Sequence, residues 1–172
     1  MRIQAWDSVF VRARRTDVHP ILADVARYGR WWPAVSSRDL GTRVAVTLSP
    51  PGIARRTQRF RVAVTKERPA KGVRMRYTGD LAGDAEWYYL DEPAGTVVHY
   101  LLTAEVADRG WRRRLTDHRA AIRQGLDTVK DRLEDGRIPG TEPHPRLLAD
   151  QRAANAEFRA AVAAHARATG GR

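Results

Sequence analysis

The segment Trp111–Leu133, WRRRLTDHRAAIRQGLDTVKDRL, constrains the chain most. Trp111, Leu115, His118, Ile122, Leu126, Val129 and Leu133 recur at steps of three and four, which is the spacing of one helical face. The opposite face carries Arg112, Arg113, Arg119, Arg123, Asp127, Lys130, Asp131 and Glu134, as a solvated face does. A helix of this length with one apolar stripe needs a surface to lie on. Nearly everything before it alternates with a period of two, so the expected surface is an antiparallel sheet.

The chain before the helix divides at its turn signals. Ile3–Arg14 reads as a first strand. Thr16 or Asp17 is expected to cap a short helix, with Pro20 tolerated in its first turn, Ile21, Leu22, Val25 and Tyr28 on its buried side, and Gly29 at its end. Trp31-Trp32-Pro33 then forms a bend. Five alternating stretches follow. They centre on Val44, Val46 and Leu48; on Phe60, Val62 and Val64; on Val73, Met75 and Tyr77; on Trp87 and Tyr89; and on Val98, Tyr100, Leu102 and Ala104. Short turns rich in Gly, Pro or Asp join them, the pattern of a meander. The expected fold class is therefore α+β: a curved antiparallel sheet of about six strands wrapped on the long helix, with a short helical segment after strand 1. Residues 1–135 form the expected ligand-binding domain. Residues 136–172 read as a Gly/Pro linker and an extra C-terminal helix, with Leu147, Gln151, Ala154, Phe158, Val162 and His165 at helical spacing.

Composition removes several classes of function. The chain of 172 residues has no cysteine, which excludes disulfides and thiol chemistry. No phosphate loop, nucleophile triad or metal-ligand cluster is visible, so neither a metal nor another cofactor is expected. No apolar run reaches the roughly 18 residues of a membrane span. The first fifteen residues alternate instead of forming a continuous apolar stretch, so no signal peptide is expected and the expected location is cytoplasmic.

The net charge is +11, carried almost entirely by arginine. Between Asp39 and Glu67 there is no acidic residue, while Arg43, Arg55, Arg56, Arg59, Arg61 and Lys66 are basic. This basic surface reads either as a solvated face or as a patch for nucleic acid or an anionic membrane. Phe60 is the one aromatic among these arginines, which weakens single-strand stacking as its purpose.

Particular words in the sequence resemble the START-like helix-grip (SRPBCC) superfamily, in the branch of polyketide cyclases/dehydrases and lipid transport proteins. Val18-His19-Pro20-Ile21-Leu22-Ala23-Asp24-Val25 followed by Trp31-Trp32-Pro33 looks like that family's first helix and tryptophan bend. Gly83-Asp84-Ala85-Glu86-Trp87 and Gly95-Thr96-Val97-Val98-His99-Tyr100 look like its last two strands. Asp117-His118, with Gly125-Leu126 after it, is similar to a pattern in its closing helix. The resemblance covers about residues 3–135. One departure is that Pro33 runs into Ala34-Val35-Ser36-Ser37 instead of the stretch usual in aromatase/cyclases.

The resemblance implies an internal cavity between sheet and helix that holds a hydrophobic or aromatic small molecule, lipid-like or polyketide-like. The expected ligand-binding residues are Phe60, Met75, Tyr77, Trp87, Tyr89, Tyr100, Leu102, Leu115, His118 and Ile122. An alternative is an enzyme of the cyclase/dehydratase type in which His118 and a tyrosine exchange protons. A second alternative is a docking protein that uses the basic surface to meet RNA, membrane or a protein. His118 also reads as an ordinary core histidine, Trp31 and Trp32 as fixing the bend, and His99 as facing outward. Glu86 is expected to pair across strands with Arg74 and Arg76.

Overall fold

The computed structural model describes residues 1–134 apart from Ala54, Ala70 and 107–109, and beyond these only Ala149, Ala153, Ala156 and Ala160. Those four alanines are helical and exposed. The rest of the expected linker and C-terminal helix lies outside the described residues.

Seven strands among the described residues form one antiparallel sheet. They are β1 (Arg2–Val11), β2 (Val35–Asp39), β3 (Val44–Leu48), β4 (Gln58–Arg68), β5 (Gly72–Gly79), β6 (Ala82–Glu92) and β7 (Gly95–Glu105). Their order is β1-β7-β6-β5-β4-β3-β2, so the first strand returns to pair with the last and every other neighbour is a hairpin. Helix α1 (Arg15–Ala23) and a 3-10 turn (Val25–Arg30) bridge β1 to β2. Helix α2 (Trp111–Glu134) crosses the inner face.

The period-two pattern does what it predicts for most of the sheet. Ile3, Ala5, Val46, Leu48, Phe60, Val62, Met75, Tyr77, Trp87, Tyr89, Val98, Tyr100 and Leu102 are all buried. Their inward direction follows from alternation. Ala121, Ile122, Leu126 and Val129 of α2 close the core from the other side.

About six strands were expected and seven are present, the added one being β2, whose sequence VSSRD buries only Val35 and so carries no alternating signal. Three expectations need correction. The expected single helix from Thr16 to Gly29 is two pieces, since Asp24 leaves helical geometry and a 3-10 turn follows. Neither Thr16 nor Asp17 caps it: the N-cap position is Arg14, and the Asp17 carboxylate pairs with the Arg14 side chain at 3.0 Å. Val64 was expected inside but is 44% exposed. The cause lies in the register: β3 ends at Val44 opposite Val62, so beyond that point β4 is an unflanked edge, and its pairing with β5 slips between Val64 and Lys66.

Three buried carboxylates fasten α2 to its surroundings. Asp117 accepts from the Arg55 side chain at 2.7 Å and from the Arg56 backbone N–H at 3.1 Å, tying the β3–β4 loop to the first turns of α2. Asp7 on β1 accepts from Arg119 and Arg123, both at 2.9 Å. Glu134 accepts from the Arg12 N–H at 2.8 Å and from Lys130 at 2.7 Å. Burial alone would raise the pKa of Asp7 and Asp117. The guanidinium hydrogen bonds and charges outweigh it and hold both carboxyls below their ordinary range.

Candidate functional site

His118 sits at the centre of the sheet–helix interface and is completely buried. The helical stripe puts it there, and β4 and β7 bring the polar groups that meet it. Its Nδ1 lies 3.1 Å from the Gln58 Oε1, and its Nε2 lies 2.8 Å from the Tyr100 hydroxyl. The Gln58 amide nitrogen donates to the Arg114 carbonyl at 2.7 Å, which fixes the amide with its oxygen toward the imidazole. An amide oxygen only accepts, so Nδ1 carries the ring proton and Nε2 accepts from Tyr100. Burial lowers the His118 pKa to about 4, so the ring is neutral near pH 7.

The network runs on through tyrosines. The Tyr100 and Tyr77 hydroxyls are 3.4 Å apart. Burial pushes Tyr77 up to about 12, and Tyr100 well above its ordinary value. Both are neutral phenols that donate or accept hydrogen bonds without ionising. The Phe60 and Tyr77 rings stack with centroids 4.7 Å apart. A second chain begins at Trp87, whose indole N–H donates to the Tyr28 hydroxyl at 2.9 Å; that hydroxyl in turn donates to the Leu22 carbonyl.

The tryptophan bend packs against α2. The Trp32 indole N–H donates to the Ala121 carbonyl at 3.0 Å, and its ring lies on Gly125. A Cβ at Gly125 would stand 2.4 Å from a carbon of that ring, so only glycine lets it approach the helix so closely. Trp31 stacks outside Trp32 at 5.5 Å.

Between these groups lies a gap framed by Tyr28, Trp32, Val35, Val46, Leu48, Phe60, Val62, Tyr77, His118 and Ile122. It leaves about 10 Å³ for the centre of a water molecule. The gap is narrow at rest: large side chains reach across the space between sheet and helix and nearly fill it.

The ten expected ligand-binding residues fall into two groups. Phe60, Tyr77, His118 and Ile122 frame the gap. Met75, Trp87, Tyr89, Tyr100 and Leu102 are buried elsewhere in the core, and Leu115 is half-buried at its edge. Gln58 escaped the sequence reading, although it is fully buried and orients His118. Its register, two residues before Phe60 and four before Val62, was the signal: a polar residue at an inward position needs a buried partner.

The remaining polar expectations lie away from the gap. His99 is on the outer sheet face, where its Nδ1 accepts from the Trp6 indole at 2.9 Å. Glu86 pairs with Arg74 at 2.8 Å and also with Arg68, while Arg76 pairs with Asp84 instead. Arg43, Arg55, Arg56, Arg59 and Arg61 are all exposed, but Arg43 stands at the opposite end of β3 from Arg55 and Arg56. Among the described residues no group of three or more His, Asp or Glu is placed to hold a metal, and no helix is long and apolar enough to cross a membrane.

A curved antiparallel sheet closed by a long C-terminal helix, with short helices after the first strand, is the START-like helix-grip fold. Solved structures of that class superpose on this chain. A START superfamily protein from Mycobacterium smegmatis matches at a TM-score of 0.61 and 16% identity, covering 77% of this chain and 97% of its own. The Zhui aromatase/cyclase from Streptomyces sp. R1128 matches at 0.55 and 18%, over 81% and 99%. Ara h 8.0201 matches at 0.61 and 10%, over 78% and 99%. No family model matches the sequence, and no curated protein matches it.

Proposed function

We propose that this chain binds a hydrophobic, ring-bearing small molecule between the sheet and α2, in the gap on the β2–β4 side. The observation that carries the reading is the composition of that gap. Apolar and aromatic side chains from the 3-10 turn, β2, β3, β4 and α2 converge there, and the Tyr77 and His118 rings stand at its edge. Such a surface, mostly apolar with a few fixed polar groups, is the make-up of a small-molecule site. A START-fold protein and an aromatase/cyclase among the structural neighbours support the same reading. The binding unit is residues 1–135, since every framing residue lies within them.

The guest enters by displacing side chains, because about 10 Å³ admits little more than a water. Tyr77 then offers its hydroxyl to a carbonyl or hydroxyl of the guest, since its contact with Tyr100 is long. Acid–base chemistry at His118 asks more of the site. Both ring nitrogens are engaged, and a substrate has to break the 2.8 Å bond to Tyr100 before it reaches Nε2. Binding therefore takes precedence over catalysis here.

The test is native mass spectrometry on the protein purified from its own host, followed by denaturing extraction, with an Ile122→Trp variant alongside. A co-purified apolar molecule in the wild type, lost in a folded Ile122→Trp protein, supports the reading. Equal retention by the variant overturns the assignment to this gap.

A further inference from the structure

Ile53, in the β3–β4 loop, is 99% exposed. No other large apolar side chain among the described residues stands so far out. The loop starts at Pro50-Pro51, and Gly52 takes a left-handed φ of +106°, over the Arg55 side chain. Arg55 and the Arg56 backbone grip Asp117. Arg113, on α2, lies close enough to help lower the pKa of the same carboxyl.

The first turn of α2 repeats the sign. It carries Arg112, Arg113 and Arg114 and no acidic residue, although a helix start favours negative charge. The side chains of Arg55, Arg56, Arg112 and Arg113 are all exposed. Two carboxylates lie near them: Asp117 is buried and engaged, and Asp80 faces Arg114 at 3.5 Å, which leaves Arg55, Arg56, Arg112 and Arg113 outnumbering the acidic groups on the outward face.

We propose that this end of the molecule docks on a bilayer of anionic lipids, with Ile53 entering the headgroup boundary and the arginines meeting lipid phosphates and carboxylates. Charge complementarity selects an anionic partner. The fully exposed aliphatic tip selects a bilayer over a nucleic acid, which offers it no apolar layer. This surface is distinct from the gap that frames the proposed ligand, and its test does not depend on the guest.

The experiment is flotation of the full chain with vesicles of phosphatidylcholine alone and of phosphatidylcholine with about one-third phosphatidylserine, at low and high salt. The expected result is binding to the anionic vesicles only, weakening as salt rises. Ile53→Ser is expected to weaken it about tenfold. A double Arg56→Gln, Arg112→Gln variant is expected to weaken it about tenfold or more. Arg43→Gln, at the far end of β3, is expected to leave binding unchanged. All variants are first checked for an unchanged circular dichroism spectrum and melting temperature. Equal binding to neutral vesicles, full binding by Ile53→Ser, or binding to RNA with no binding to vesicles would each overturn the proposal. A folded Ile122→Trp protein that loses its guest but still floats separates this surface from the ligand gap.

Discussion

The Nε2 of His118 accepts a 2.8 Å hydrogen bond from the Tyr100 hydroxyl at the sealed centre of the molecule. The bond holds only while the ring is neutral, since a protonated ring has no lone pair at Nε2 to offer.

That requirement makes stability depend on pH with a defined sign. The His118 pKa is lowered to about 4 in the folded protein, against about 6.5 when unfolded. Between these values the unfolded chain binds the proton and the folded one does not, so stability falls as pH drops from about 6.5 to about 4. The loss is on the order of 3 kcal/mol. Urea titrations at stepped pH should show it, and a His118→Gln variant should lack that part of the slope. A wild-type profile that stays flat between pH 6.5 and 4 would sink this account of His118.

Asp7 and Asp117 act lower on the scale. Both carboxyls are held below their ordinary value, so what they contribute is present above about pH 4 and is lost as pH falls through their folded values. Asp117→Asn should therefore matter at neutral pH. Because Arg55 is partly exposed, the global cost is only about 1 kcal/mol. The local effect is larger: trypsin should cut at Arg55 or Arg56 faster in this variant than in the wild type. Unchanged cleavage would mean that the loop is held by something else.

Gly125→Ala should destabilise the protein even though alanine is the better helix former. The helical gain is about 1 kcal/mol. Against it, the new methyl meets the rigid Trp32 ring at 2.4 Å, and such overpacking costs about 1–3 kcal/mol. A lower melting temperature, with Trp32 displaced from its bond to the Ala121 carbonyl, is the expected outcome. A variant as stable as the wild type would show that the bend shifts freely.

Tyr77→Phe should separate packing from recognition. The ring keeps its stack on Phe60, and the hydroxyl gives up only a 3.4 Å contact, so stability should change by less than about 1 kcal/mol. Affinity for a carbonyl-bearing or hydroxyl-bearing guest should fall about fivefold to tenfold, read by titration of bound ligand. No change in affinity would place the guest's polar group elsewhere.

The architecture was legible in the sequence wherever burial imposed a period. The stripe from Trp111 to Leu133 and the alternation from Phe60 through Leu102 both reflect side chains forced to one face. β2 was not legible because an edge strand with one buried residue leaves no period to read. Val64 misled because alternation reports which face a residue takes, not where a neighbouring strand ends. The candidate site was legible in part. His118 and Tyr77 announced themselves by type, whereas Gln58 is uninformative until its register beside Phe60 is seen. The volume between sheet and helix was beyond pattern altogether, because it depends on how far the Trp32, Phe60 and Ile122 side chains reach.

The three carboxylates that fasten α2 divide the molecule mechanically. Asp7 and Glu134 anchor the helix to β1 and the chain just after it, while Asp117 holds only a loop. The β1 side is thus a fixed jaw. The 3-10 turn, β2 and β3 frame the gap at the far edge of the sheet, where the Trp32 indole, in place of a carboxylate, ties the bend to the Ala121 carbonyl of α2. If a guest binds there as proposed, the width to which this edge opens, more than the volume at rest, sets the size of molecule accommodated.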